Sequence, residues 1–107
     1  MAWNFDGAIP MNVTVVRIYV TEGQHIHEAI FSRLHDIEKV RGVTLFRGIS
    51  GFGKSGTVHS SSLLDMSLDL PVVIEFFDQP EKVRTALTNI QGMVKPGHVL
   101  TFSAELN

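Results

Sequence analysis

Apolar and polar residues alternate from Val13 to Val20, with Val16, Ile18 and Val20 on one side and Val13, Val15, Arg17 and Tyr19 on the other. A period of two in a run rich in β-branched residues predicts a strand. Thr21, Glu22 and Gly23 break the run, and apolar residues then recur at Ile26, Ile30, Leu34 and Ile37. That spacing predicts an amphipathic helix ending near Arg41 and Gly42, with His27, Glu28, Arg33, His35, Asp36 and Lys39 on its solvated face. Val43 to Arg47 reads as a second strand. Pro71 to Phe77 reads as a third, Val72, Ile74 and Phe76 alternating with Val73, Glu75 and Phe77, and proline suits a strand's first position. Asp78 followed by Glu81 has the spacing of a capping box, and Val83, Leu87, Ile90 and Val94 keep the helical period up to Lys95, Pro96 and Gly97. Leu100, Phe102, Ala104 and Leu106 then alternate with Val99, Thr101, Ser103 and Glu105 as a fourth strand.

The order β-α-β-β-α-β predicts an α+β, ferredoxin-like sandwich: a four-stranded antiparallel sheet with two helices on one face. In that arrangement the first and third strands are central neighbours. Their helix-free sides carry Val13, Val15, Tyr19, Val73 and Phe77, too apolar for a face left in water, so this side is expected to contact another subunit. Arg17 and Glu75 are placed to pair across it. Residues 1–12 lack periodicity and are expected to form a flexible arm ahead of a single domain spanning 13–107.

Composition narrows the function mainly by exclusion. The 107 residues suit one domain, and there is no cysteine for disulfides, clusters or thiol chemistry. Nine Lys and Arg against eleven Asp and Glu, without a basic stripe, argue against nucleic acid as a partner. Apolar runs of four or five residues fall far short of the ~20 of a membrane helix, and no secretory pattern opens the chain; a cytoplasmic protein without direct membrane insertion is expected.

The connection Gly48 to Leu70 has 23 residues where a hairpin needs about two to five. It begins with glycines at 48, 51, 53 and 56 around Phe52 and ends in a cluster of Leu63, Leu64, Met66 and Leu68, expected to dock on protein. Gly48 to Ser55 satisfies the phosphate-loop pattern G-x-x-x-x-G-K-[ST] after a predicted strand. That chemistry needs a helix starting at the Lys-Ser end, whereas Gly56, Thr57, Val58 and serines follow. The parallel sheet and metal-binding Asp of such hydrolases are also missing. A gentler role survives: glycine amides with Arg47 and Lys54 can form an anion-binding concavity.

Arg41 to Asp78, RGVTLFRGISGFGKSGTVHSSSLLDMSLDLPVVIEFFD, closely resembles the domain-of-unknown-function family 190, whose signature is a strand ending in R-G-x-x-G-F-G, then a His, a Ser-Leu-Leu segment and D-L-P before the next strand. The resemblance spans about Val13 to Leu106 and rests here on Arg47, Gly48, Gly51, Phe52, Gly53, His59, Ser62, Leu63, Leu64, Asp69, Leu70 and Pro71. It implies a PII-like (GlnB-like) protein: a non-enzymatic signalling homotrimer with a small anionic metabolite, an adenine nucleotide among the candidates, in clefts between subunits. The long loop would report ligand state to a partner such as a membrane transporter or channel. Lys54 lies outside the signature, which makes the phosphate-loop match coincidental. The Gly-rich basic loop of PII nucleotide sites is reduced here to Lys95, Pro96, Gly97 and His98, and the insertion before the first helix to Thr21–His25. The candidate ligand-binding residues are therefore Arg47, Gly48, Gly51, Phe52, Gly53, Lys54, His59 and His98, with no catalytic set.

Of the five histidines, His25, His27 and His35 lack the i, i+4 spacing of a helical metal pair and read as surface residues. A metal-linked trimer of the CutA type is the alternative, with any ion held between subunits. His59 is either a ligand contact or a pin for the loop, and Arg47 either binds an anion or pairs with Asp65 or Asp69. Phe52 is expected to anchor the loop by docking.

Overall fold

A computed structural model of the chain describes residues 9–60 and 69–107. Most of the expected arm, and the cluster Leu63, Leu64, Met66 and Leu68 with Ser62 and Asp65, lie outside the described residues. Four long strands form one antiparallel sheet: β1 (Met11–Thr21), β2 (Gly42–Arg47), β5 (Pro71–Asp78) and β6 (Val99–Leu106), in the order β2-β5-β1-β6. The central pairing of the first and third long strands is as expected, with Val16 opposite Phe76 and Ile18 opposite Ile74. Met11 and Asn12 join β1 instead of the arm, because β6 extends far enough to pair them with Leu106 and Glu105.

Two helices cover one face, α1 (Ile26–Arg33) and α2 (Pro80–Ile90). Sheet residues Val16, Ile18, Ile74 and Phe76 meet Ile30 and Leu34 from the first helical segment and Val83, Ala86 and Ile90 from the second. This is the expected α+β ferredoxin-like architecture, and its core uses the period-two and period-3.6 positions read from the sequence.

Three local expectations fail at helix ends. Past Arg33 the first helix widens into a π-turn over Leu34–Glu38, closed by Lys39 at φ 52°. The wider turn rotates Ile37 off the core, leaving it 61% exposed, and Val40 packs there instead. At the start of α2, Pro80 occupies the first turn and Gln79 the cap position, so no capping box forms. The Asp78 carboxylate accepts from the Gln79 N–H at 2.7 Å and the Arg41 N–H at 2.9 Å. That helix also stops at Ile90 and tightens to a 3₁₀ turn over Gln91–Met93, before the expected Lys95.

Glu38 ties the two helical segments together, accepting from Arg33 Nε and Asn89 Nδ2, both at 2.9 Å. Burial pushes its carboxyl pKa up, but the hydrogen bonds from Asn89 and Arg33 outweigh burial, and the net shift is downward.

The opposite sheet face has no helix on it. Register places Val15, Arg17 and Tyr19 beside Phe77, Glu75 and Val73 on one flank and Phe102 and Leu100 on the other. Arg17 Nε donates to Glu75 Oε1 at 2.8 Å, as expected, and the guanidinium lies 5.2 Å from the centre of the Phe102 ring. Tyr19, Phe46, Leu100 and Phe102 are exposed. Among the described residues no helix is long and apolar enough to cross a membrane.

Candidate ligand groove

The long connection contains a small ladder that carries no hydrophobic alternation. β3 (Ser50–Gly51) pairs antiparallel with β4 (His59–Ser60), Ser50 opposite Ser60 and Gly51 opposite His59. Its tip is a turn in which the Gly56 N–H donates to the Gly53 carbonyl at 2.9 Å, with Gly56 at φ 77°. After Ser55 the chain therefore turns back into β4. No helix begins there, so the amides needed for a phosphate loop do not converge, and the letter match lacks its geometry.

At its root the hairpin lies against β5. The Gly48 N–H donates to the Pro71 carbonyl at 2.7 Å, and a Cβ at Gly48 would sit 2.8 Å from Pro71 Cγ. Both roots of the connection are strapped to the short turn Glu22–Gln24 after β1. Arg47 Nη2 donates to Glu22 Oε2 at 2.9 Å, the Glu22 N–H donates to the Leu70 carbonyl at 2.7 Å, and the Gly23 N–H donates to Asp69 Oδ1 at 3.1 Å. Arg47 pairs with Glu22, which the turn brings beside the end of β2, while Asp65 lies outside the described residues. Asp69 instead faces His59, its Oδ2 3.2 Å from Nδ1.

Between the hairpin, the ends of β1 and β5, and the approach to β6 runs an open groove of about 1440 Å³. A cavity enclosing a small ligand is typically 300–1,000 Å³, so this groove is wider than one such ligand and open to a further surface. Gly48, Gly51, Phe52, Gly53, Lys54 and His59 line one side and His98 the other, which brings together seven of the eight candidate residues. Arg47 lies outside the lining. His98 Nδ1 is 3.0 Å from the Tyr19 carbonyl, and the two residues also share a backbone bond of 2.9 Å.

Phe52 is 74% exposed at the rim and docks on nothing within the described residues. Lys95, Gln24 and Tyr19 also line the groove without having been selected from the sequence. Lys95 alone carried a signal, a basic residue directly before the Pro96-Gly97 turn. Charge in the groove is one-sided: Lys54, Lys95, His59 and His98 line it, and no carboxylate does among the described residues.

Among the described residues of one chain no three His, Cys, Asp or Glu side chains gather to hold an ion. His27 is not the solvated residue expected. Its side chain is 12% exposed, with Nδ1 buried and unpartnered, and the His25 ring, from a residue at φ 56°, stacks at a centroid distance of 6.3 Å.

The family model for DUF190, "Uncharacterized ACR", matches residues 13–106. The chain belongs to the DUF190 family. A "UPF0166 protein" of Aquifex aeolicus (strain VF5) is 32% identical over 71 residues, covering 66% of this chain and 67% of the relative. UPF0166 protein MJ1524 of Methanocaldococcus jannaschii is 29% identical over 85 residues, covering 76% and 78%. Among solved structures, CPII of Thiomonas intermedia K12, described as bound to ADP and bicarbonate, superposes with a TM-score of 0.68 at 20% identity over 92% of this chain and 91% of its own. A putative PII-like signaling protein of Thermus thermophilus, TTHA0516, gives 0.54 at 14% identity over 91% and 89%. This DUF190 chain therefore has the PII-like fold.

Proposed function

We propose that this DUF190 protein is a non-enzymatic, PII-like regulatory subunit of the cytoplasm that assembles as a homotrimer and binds a small anionic ligand, an adenine nucleotide, in its groove. The hairpin and the rest of the 48–70 connection would then signal to a membrane transporter or channel. The observation that carries this reading is the groove lined by two lysines and two histidines and by no carboxylate among the described residues, in a chain with eleven Asp and Glu. Glycine amides at the hairpin supply additional donors, and Val20, Ile26, Val73 and Val94 supply an apolar wall for a base. The ADP named for CPII and the unpartnered sheet face that continues from Tyr19 and Val73 support the same reading.

The test is titration calorimetry with ADP, ATP and AMP, alongside light scattering for a mass three times the 11.9 kDa chain. Lys54→Ala with Lys95→Ala should weaken binding at least about tenfold, the loss expected for removing charge-assisted contacts. No heat at about 1 mM nucleotide, or unchanged affinity in the double variant, would refute the reading.

A further inference from the structure

Phe52 springs from a part of the hairpin that is held, yet its own side chain lies in water. The preceding residue, Gly51, pairs with His59 across the ladder, and a Cβ on it would stand 3.2 Å from Pro71 Cγ. The Phe52 Cα follows about 3.8 Å along the chain, beside a groove lining that includes Pro71 and Val73. The residue is nevertheless 74% exposed, and on its other side a Cβ at Gly53 meets nothing within 4 Å. Rotation about χ1 between staggered wells sweeps the Phe52 ring across the rim while the strapped root stays in place.

The lining offers two chemistries. Beside its cations it has an apolar stretch of Val20, Ile26, Val73, Met93 and Val94. Four of these, Val20, Ile26, Met93 and Val94, also pack against the core and so form a fixed wall. A flat ring laid on that wall keeps its second face in water, because the groove is open. Tyr19 also lines the groove, but it belongs to β1 and sits with Arg17 on the helix-free side of the sheet. Phe52, at the rim, is the aromatic residue free to close over the ring.

We infer that Phe52 recognises the base of the ligand by stacking on the face turned away from the apolar wall, so that the groove selects nucleotides over phosphorylated metabolites that carry no aromatic ring. This rests on the anion-groove reading above and deepens it. Every base has a π-face, so Phe52 tells nucleotides from simple phosphates without telling one base from another.

ADP calorimetry on the full chain and on Phe52→Ala, Phe52→Leu and Phe52→Trp tests the inference. Alanine should weaken ADP roughly five- to 150-fold, the range that base–aromatic stacking is worth. Leucine keeps apolar area without a π-face and should fall with alanine, whereas tryptophan should bind as tightly as the wild type or more tightly. Pyrophosphate, an anion with no base, should bind Phe52→Ala as it binds the wild type. A leucine variant equal to the wild type would reduce Phe52 to apolar cover and overturn the inference. A loss for pyrophosphate equal to that for ADP would also overturn it, since the substitution would then act by displacing the hairpin. Proton spectra give a second readout: the Phe52 ring current should move the adenine H2 and H8 resonances of bound ADP upfield in the wild type and less in Phe52→Leu, and equal shifts overturn it. A wild type that does not bind ADP would overturn the anion-groove reading and this inference together, whereas equal ADP binding by wild type and Phe52→Ala overturns this inference alone.

Discussion

Gly48 and Gly53 bracket the same motif, yet alanine should act at the two sites with opposite sign. A Cβ on Gly48 would lie 2.8 Å from Pro71 Cγ and 3.3 Å from the Pro71 carbonyl oxygen, where ordinary contact needs about 3.5–4.0 Å. The proline ring is rigid and its carbonyl belongs to β5, so neither can swing away. Relief requires the hairpin root to move off β5 by several tenths of an ångström, stretching the 2.7 Å bond from the Gly48 N–H to that carbonyl. Strain of about 1–3 kcal/mol from overpacking, with about 1 kcal/mol for the weakened bond, gives roughly 2–4 kcal/mol in total. Gly53 has no neighbour within 4 Å of a built Cβ and no positive φ. Alanine there narrows the unfolded ensemble and should be neutral or stabilising by up to about 1 kcal/mol. Urea unfolding at fixed protomer concentration reads both effects, since subunit association makes stability concentration-dependent. Gly48→Ala within about 0.5 kcal/mol of wild type, a surface-like value, would refute the close approach.

The π-turn makes a second contrast: Leu34→Ala should cost about 2–5 kcal/mol in urea unfolding, whereas Ile37→Ala, at a position 61% exposed, should stay within about 0.5 kcal/mol. Glu38 is held below the usual carboxylate range, so its contribution is fully present above the unfolded carboxyl pKa and is lost as pH falls through the folded one. Stability measured from about pH 6 down to pH 3 should drop more steeply in the wild type than in Glu38→Gln. On the open sheet face, Phe102→Lys places a second cation beside the Arg17 guanidinium, and light scattering should then find a mass below that of the proposed trimer.

Fold and groove were legible to different depths, for physical reasons. The sheet could be read because alternation of period two is enforced by the pleat, and burial on one side selects Val16, Ile18, Ile74 and Phe76 regardless of what happens at the ends of the strands. A constant period of 3.6 misplaces Ile37 because the turn over Leu34–Glu38 is wider. Nothing in the side chains of Leu34–Glu38 announces the change; it shows only in the backbone, through Lys39 at φ 52°. The hairpin at Ser50–Gly51 and His59–Ser60 was hidden because short polar strands have no hydrophobic face to alternate. Arg47 illustrates a third limit. Its partner Glu22 is 25 positions away, on a turn whose placement depends on the whole of β1 and α1.

The glycine-rich segment shows why matching residues and matching chemistry can part company. A phosphate loop works because successive amides point at one spot and a helix dipole follows them, a property of backbone direction that the letters only accompany. Here the same letters lead into a β-turn, and the segment's direction is set from outside by Pro71 at its root and by the Glu22–Gln24 turn that holds both Arg47 and the Asp69–Leu70 return. An anion bridging Lys54 to Lys95 or His98 would pull the hairpin toward the approach to β6, against those straps. Binding and hairpin position are coupled to the extent that the straps resist. Glu22→Gln, which weakens the charge-assisted bond to Arg47 and leaves the groove lining unaltered, should therefore loosen the hairpin, seen as faster amide exchange at Gly51 and His59 in the free protein, with protection restored when ADP binds. Equal exchange in wild type and Glu22→Gln would mean that the ladder with β4, rather than the turn, sets where the hairpin sits.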